Sequence, residues 1–153
     1  MLTAKDVMTT EVVTIPPDTS VEDAAKIMSE NEISGLPVVE NDHLLGIVSE
    51  KDLIMKNKRL NSPGYINILD GIIFLESPKK FEKEFRKFIA IEVEDLMTRD
   101  VITVKPETTL DEIATIMVEE DVNRLPVVEN DKLIGIVTRG DVVREMAKND
   151  DDL

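Results

Sequence analysis

Residues 125–141 read LPVVENDKLIGIVTRGD, and residues 36–52 read LPVVENDHLLGIVSEKD. Twelve of the seventeen positions are identical, and the copies lie 89 residues apart. Each copy holds two apolar runs joined by Asn-Asp, the pattern of a tight hairpin. Each ends in Ser/Thr-x-x-Asp, the pattern that opens a helix. The phrase therefore predicts strand, turn, strand and helix start, written twice.

Working outward, residues 7–54 align with 96–143 without a gap, with 22 identities in 48. The matched pairs include Met8/Met97, Thr9/Thr98, Pro17/Pro106, Gly46/Gly135 and Asp52/Asp141. A repeat of this length means a duplicated supersecondary unit. The β-branched runs EVVTI (11–15) and DVITV (100–104) read as extended. Residues 20–31 and 109–121 have helical apolar spacing. Val21, Ala24, Ala25, Ile27 and Met28 form one stripe, and Leu110, Ile113, Ala114, Ile116 and Met117 form the other. Ser20 with Asp23, and Thr109 with Glu112, predict capping boxes at their starts. The order is strand, helix, strand, strand, helix, twice. A unit of about 55 residues alone buries too little apolar surface to be stable, so the two are expected to share one core.

The chain has 153 residues and a net charge of −14. That charge repels a phosphate backbone and argues against broad nucleic-acid binding. With no cysteine, disulfides, thiolate chemistry and cysteine-held zinc are excluded. No run approaches the roughly 18 apolar residues of a membrane span, and the first residues carry no apolar signal core. A cytoplasmic protein is expected. Residues 55–93 stand apart, with eight Lys/Arg, five Asp/Glu, all four Phe and the one Tyr. Within them, 77–91 predicts an amphipathic helix with Phe81, Phe85, Phe88 and Ile89 on one face. That face suits either a contact surface or a seal on the core. Residues 65–77 read equally as a strand pair or a short helix.

VMTTEVVTIPPDTSVEDAAKIM with ISGLPVVENDHLLGIVSEKDL, and LMTRDVITVKPETTLDEIATIM with VNRLPVVENDKLIGIVTRGDVV, resemble the cystathionine-β-synthase-type (CBS) domain. The pair resembles a Bateman module, as in stand-alone CBS domain-containing proteins. The resemblance covers nearly all of the chain except roughly 58–93. It implies an α/β (α+β) fold of two pseudo-symmetric βαββα units packed through their sheets. The organisation expected is CBS domain 1 at 1–57, an insert with the amphipathic helix at 58–93, CBS domain 2 at 94–149 and an acidic tail at 150–153. Members commonly bind AMP, ADP, ATP or S-adenosylmethionine in clefts between the units, regulate a partner and catalyse nothing.

Carried onto this sequence, the resemblance places Asp141 and Asp52 on ribose and Thr138 and Ser49 near phosphate. Adenine would lie against Thr14 and Thr103 and the segments before each proline. One cleft would combine Thr14, Ile33, Ser34, Gly35 and Pro37 with Thr138, Arg139 and Asp141. The other would combine Thr103, Val122, Asn123, Arg124 and Pro126 with Ser49, Lys51 and Asp52. The residues themselves allow two readings of Ser/Thr-x-x-Asp. It is a capping box, or it is a helix start that offers N–H groups to phosphate and a carboxylate to ribose hydroxyls. The copies differ at one decisive position. Arg139 can hold phosphate bidentately, while Glu50 repels it, so unequal affinity is expected. Mg²⁺ is expected to accompany ATP, and no other cofactor or metal is called for.

A homodimer and an unidentified regulated protein are the expected macromolecular partners, with neither nucleic acid nor membrane. The single His43 sits at the turn, where it should be exposed. Ser-nucleophile, P-loop, zinc-protease and dinucleotide motifs are absent, so catalysis is not expected. The competing function is a purely structural interaction or dimerisation module whose duplication serves the core alone.

Overall fold

The computed structural model describes residues 1–57, 65–68, 71–74, 79, 82 and 90–150. The elements, in chain order, are α1 (Ala4–Val7), α2 (Val21–Asn31), β1 (Gly35–Glu40), β2 (His43–Ser49), α3 (Glu50–Asn57), β3 (Tyr65–Ile68), β4 (Gly71–Phe74), α4 (Leu110–Glu119), β5 (Arg124–Glu129), β6 (Lys132–Thr138) and α5 (Arg139–Asp150). A 3₁₀ turn, Val93–Asp95, precedes the second repeat.

Both Asn-Asp pairs form the predicted hairpin turn. Asn41 and Asp42 have φ of 52° and 67°, and Asn130 and Asp131 have 52° and 63°. Two successive left-handed residues match the twist of a two-residue hairpin, and Asn and Asp tolerate that region best among residues with a Cβ. The sheet order is β1-β2-β6-β5. The hairpins join at one antiparallel register pair, His43↔Lys132. His43 is exposed, as expected. Its Nδ1 lies 2.8 Å from the Asp131 carbonyl oxygen, which only accepts, so Nδ1 donates.

The helices form where the stripes predict. Thr109 and Glu112 close a full capping box on α4. On α2, the Ser20 hydroxyl accepts the Asp23 N–H at 3.1 Å, and only that half of the box is made. The β-branched runs 11–15 and 100–104 do not become ladder strands. Each makes a single parallel bridge, Ile15↔Val38 and Val104↔Val127. Pro16 and Pro17 follow the first run, and Pro106 follows the second after Lys105. Proline has no N–H to extend a ladder. Within the stretch 65–77, Tyr65–Ile68 and Gly71–Phe74 form a strand pair, with Tyr65↔Phe74 through Ile68↔Gly71 in antiparallel register. The Phe-striped face of 77–91 lies outside the described residues, as do residues 151–153 of the acidic tail.

Contacts divide the chain into two interleaved units. The first holds Met1–Thr14, Val39–Leu45 and Asp100–Leu153, and the second holds Ile15–Val38 and Gly46–Arg99. The leader of each repeat thus packs onto the other repeat. In the first unit, Ala4 N–H donates to Thr108 at 2.8 Å, and Thr9 and Ile136 exchange bonds of 2.9 and 3.0 Å. In the second, Val93 N–H donates to Thr19 at 2.9 Å, and Thr98 and Ile47 exchange two bonds of 2.9 Å. The first core gathers Ala4, Val104, Ile113, Met117, Leu125, Val127, Val137 and Val142. The second buries Ile15, Val21, Ala24, Met28, Leu36, Val38, Val48, Val93 and Leu96. Leu36, Pro37 and Val38, and likewise Leu125, Pro126 and Val127, are all fully buried, and since successive side chains alternate faces, these strand segments are covered on both faces.

Two glycines allow the exchange. A Cβ on Gly46 would stand 2.7 Å from both the Met97 sulfur and the Thr98 carbonyl oxygen. A Cβ on Gly135 would strike the Met8 sulfur and approach the Thr9 carbonyl to 3.1 Å. Such overpacking costs about 1–3 kcal/mol. Gly46→Ala should lose stability in that range, because a backbone carbonyl cannot swing aside. Gly135→Ala should lose less, because its hardest collision is with a flexible thioether. Urea denaturation checks both, and equal or absent losses would contradict the packing.

Candidate functional site

Each β-hairpin runs straight into a helix, and the junction is built the same way in both units. In the second unit, the Ser49 N–H and Oγ–H both donate to Asp52 Oδ2, at 2.9 and 3.1 Å. The Asp52 N–H returns a bond to Ser49 Oγ at 3.3 Å. In the first unit, the Thr138 N–H and Oγ1–H donate to Asp141 Oδ2 at 2.8 and 3.0 Å, and the Asp141 N–H donates to Thr138 Oγ1 at 3.3 Å. Both are complete capping boxes.

The segments before the prolines are held against these helix starts. Glu50 N–H donates to the Ser34 carbonyl at 2.9 Å, and Arg139 N–H donates to the Asn123 carbonyl at 2.8 Å. Ser34 thus meets Glu50 within the second unit, and Ile33 lies on the same groove as both. Asn123 meets Arg139, and Arg124 pairs in register with Thr138, within the first. Ser34, Lys51, Asn123 and Arg139 are exposed. Thr14 and Thr103 are exposed and precede the bridge residues Ile15 and Val104. Pro37 and Pro126 are fully buried, and their carbonyls accept the Ile15 and Val104 N–H groups at 3.1 and 3.0 Å.

In the second unit a groove of about 660 Å³ opens beside this junction, lined by Ala25, Met28, Ile33, Ser34, Glu50 and Leu53 among others. Its size falls in the range of small-molecule sites, about 300–1,000 Å³. Ala25, counted in the helical stripe, is exposed here rather than in the core. A smaller cavity of about 260 Å³ in the first unit touches none of the predicted residues. Among the described residues, no group of three or more His, Cys, Asp or Glu side chains is placed to hold a metal. No described helix is long and apolar enough to cross a membrane.

A third copy of the box sets the scale. Thr3 and Asp6 make the same bonds on α1, at 2.9 and 3.0 Å. Asp6 is exposed, whereas Asp52 and Asp141 are only 6% and 8% accessible. Capping therefore does not itself require a buried carboxylate. One neighbour of the site went unrecognised in the sequence. Arg144 Nη1 donates to Asp141 Oδ1 at 3.1 Å. The signal was its i+3 spacing from Asp141, which places the two on one helix face.

The CBS domain family model matches residues 4–58 and 93–148. The chain is 34% identical over 151 residues to MJ1426 of Methanocaldococcus jannaschii, an uncharacterized protein, covering 93% of this chain and 89% of that one. It is 36% identical over 138 residues to the chloroplastic CBS domain-containing protein CBSX2 of Arabidopsis thaliana, covering 85% of this chain and 56% of that protein's length. A crystal structure of CBSX2 in complex with AMP matches with a TM-score of 0.80 at 33% identity, covering 97% of this chain and 98% of that one. The chain belongs to the CBS domain family and carries the domain as a tandem pair. Inosine-5′-monophosphate dehydrogenase of Korarchaeum cryptofilum is 36% identical over 133 residues, but these make up only 22% of that enzyme. That likeness carries no dehydrogenase activity to this chain.

Truncating a cap residue costs about 0.5–2 kcal/mol. Ser49→Ala and Thr138→Ala, at the caps themselves, should each lose that much in denaturant melts. Asp6 behaves differently with pH. The Thr3 backbone N–H, then the Thr3 hydroxyl, holds its carboxyl below the ordinary 3.8. A lowered pKa stabilises the fold above the unfolded value and loses that contribution as pH falls. Asp6→Asn should therefore melt earlier than the parent near neutral pH, and the difference should close as pH drops below 3.8. A difference that persists in acid would show that the box does not depend on the ionised carboxylate.

Proposed function

We propose that this CBS pair is a non-catalytic regulatory module that binds adenosine-containing nucleotides at the two strand-to-helix junctions. The observation that carries the reading is the burial of Asp52 and Asp141, which capping alone does not demand. The box engages one oxygen of each carboxylate, Oδ2, and a ribose diol would compete for the other. The exposed helix-start residues beside it suit a phosphate, because the helix dipole favours negative charge there. The AMP complex of CBSX2, a relative at 33% identity, supports adenosine as the shared part of the ligand.

The junctions differ in charge, with Arg139 in one and Glu50 in the other. AMP and ATP should therefore bind unequally, more tightly where Arg139 lies. Mg²⁺ would accompany ATP to offset the acidic surface. The read-out is a change of shape or of contacts with a second copy, and a cytoplasmic setting fits the cysteine-free chain. Val118, Val143 and Met146, accessible by 82%, 58% and 62%, favour a homodimer. Val143→Asp with Met146→Asp should halve the mass seen by light scattering, and an unsubstituted protein that is already monomeric would contradict the dimer.

Isothermal titration tests the nucleotide reading. AMP should show two unequal affinities, with adenosine less unequal. Hydrogen bonds to a charged group are worth about 1.5–3 kcal/mol, so Asp141→Asn should weaken the tighter site by about 10- to 100-fold. Complete capping boxes without ligand would equally serve a structural module. Absent binding, or one weak class of site untouched by Asp141→Asn, would favour that module.

A further inference from the structure

We infer that Arg144 is a specificity-determining residue of the Asp141 junction, a guanidinium that occupies the carboxylate in place of a ligand diol and must be displaced for ribose to bind. The inference rests on the nucleotide reading above and deepens it. The capping box consumes Asp141 Oδ2, which accepts both the Thr138 N–H and the Thr138 hydroxyl. Oδ1 is the oxygen left for a ligand, and Arg144 Nη1 donates to it at 3.1 Å.

The two partners are unequal. The Asp141 side chain is 10% accessible and the Arg144 side chain is 66% accessible. The carboxylate is thus held by the fold, while the guanidinium reaches in from solvent. With its guanidinium in solvent, the pair is worth about 1 kcal/mol and weakens with salt. It is strong enough to bias the site and weak enough to be replaced. Position 55 matches position 144 across the repeat, and it holds Met55. A thioether carries no N–H to donate, so the donor at this position belongs to the second repeat. A diol offers two O–H donors to the oxygen that Arg144 leaves, whereas a sugar lacking both hydroxyls offers none. Arg144 therefore sets how strongly the junction distinguishes a ribonucleoside from other ligands of the same base.

The test uses the full chain carrying Asp52→Asn, which silences the matching junction, and follows adenosine by isothermal titration. Adenosine is uncharged, so its own affinity carries little salt dependence. With Arg144 present, adenosine should bind more tightly as salt is raised from about 20 to about 500 mM, because screening loosens the competing ion pair. This arm needs no substitution at position 144. Arg144→Met should raise adenosine affinity at low salt by about two- to five-fold and abolish the salt effect. Arg144→Lys should restore the salt effect, and 2′,3′-dideoxyadenosine should not respond to Arg144→Met. Adenosine binding that neither rises with salt nor gains from Arg144→Met overturns the role of Arg144 alone. No adenosine binding by the parent or by either variant overturns the nucleotide reading and this inference together.

Discussion

Each leader segment crosses its strand so closely that a Cβ at one position would collide with it, and a glycine stands at both crossings. Gly46 receives Met97 and Thr98, and Gly135 receives Met8 and Thr9. Both contacts are locked by paired backbone bonds between Thr98 and Ile47 and between Thr9 and Ile136. Through them the leader of each repeat completes the core of the other. A unit of about 55 residues cannot bury enough apolar surface by itself. Exchange of leaders makes each core depend on both repeats, which explains why the contact units are interleaved.

The junctions inherit their geometry from this arrangement. Gly46 and Gly135 lie on β2 and β6, and the same strands end at Ser49 and Thr138, where the helices begin. The Ser34 and Asn123 carbonyls then fasten the preceding segment to the first helical N–H. Strand end, helix start and connecting segment are thereby held together before any ligand arrives. Such preorganisation lowers the ordering cost of binding. The duplication supplies two such junctions with different charge, and differential binding is what allows a ligand to bias one state of a protein over another.

Much of this was legible in the sequence because it is local. Asn-Asp between apolar runs declared both hairpins, and the helical stripes declared α2 and α4. Ser/Thr-x-x-Asp declared the capping boxes, and the duplicated order carried the family resemblance. What was not legible is non-local. Nothing near Gly46 in the chain announces Met97, and the leader exchange is a contact between segments some 50 residues apart or more. The runs 11–15 and 100–104 have strand composition but make one bridge each, because the prolines that follow outweigh β-branching. Residues 65–77 carried no single period, and it is pairing that makes strands of Tyr65–Ile68 and Gly71–Phe74. Arg144 was passed over because one Arg on a helix resembles any solvated cation until its partner is known to be buried.

The central claim is that Asp52 and Asp141 are ligand groups as well as caps. Native mass spectrometry of the folded chain in AMP addresses it directly, because bound nucleotide is counted on each molecule. The account predicts AMP adducts on the unsubstituted chain and their loss from an Asp52→Asn, Asp141→Asn double variant that still melts cooperatively. Adducts that survive on the folded double variant would contradict it.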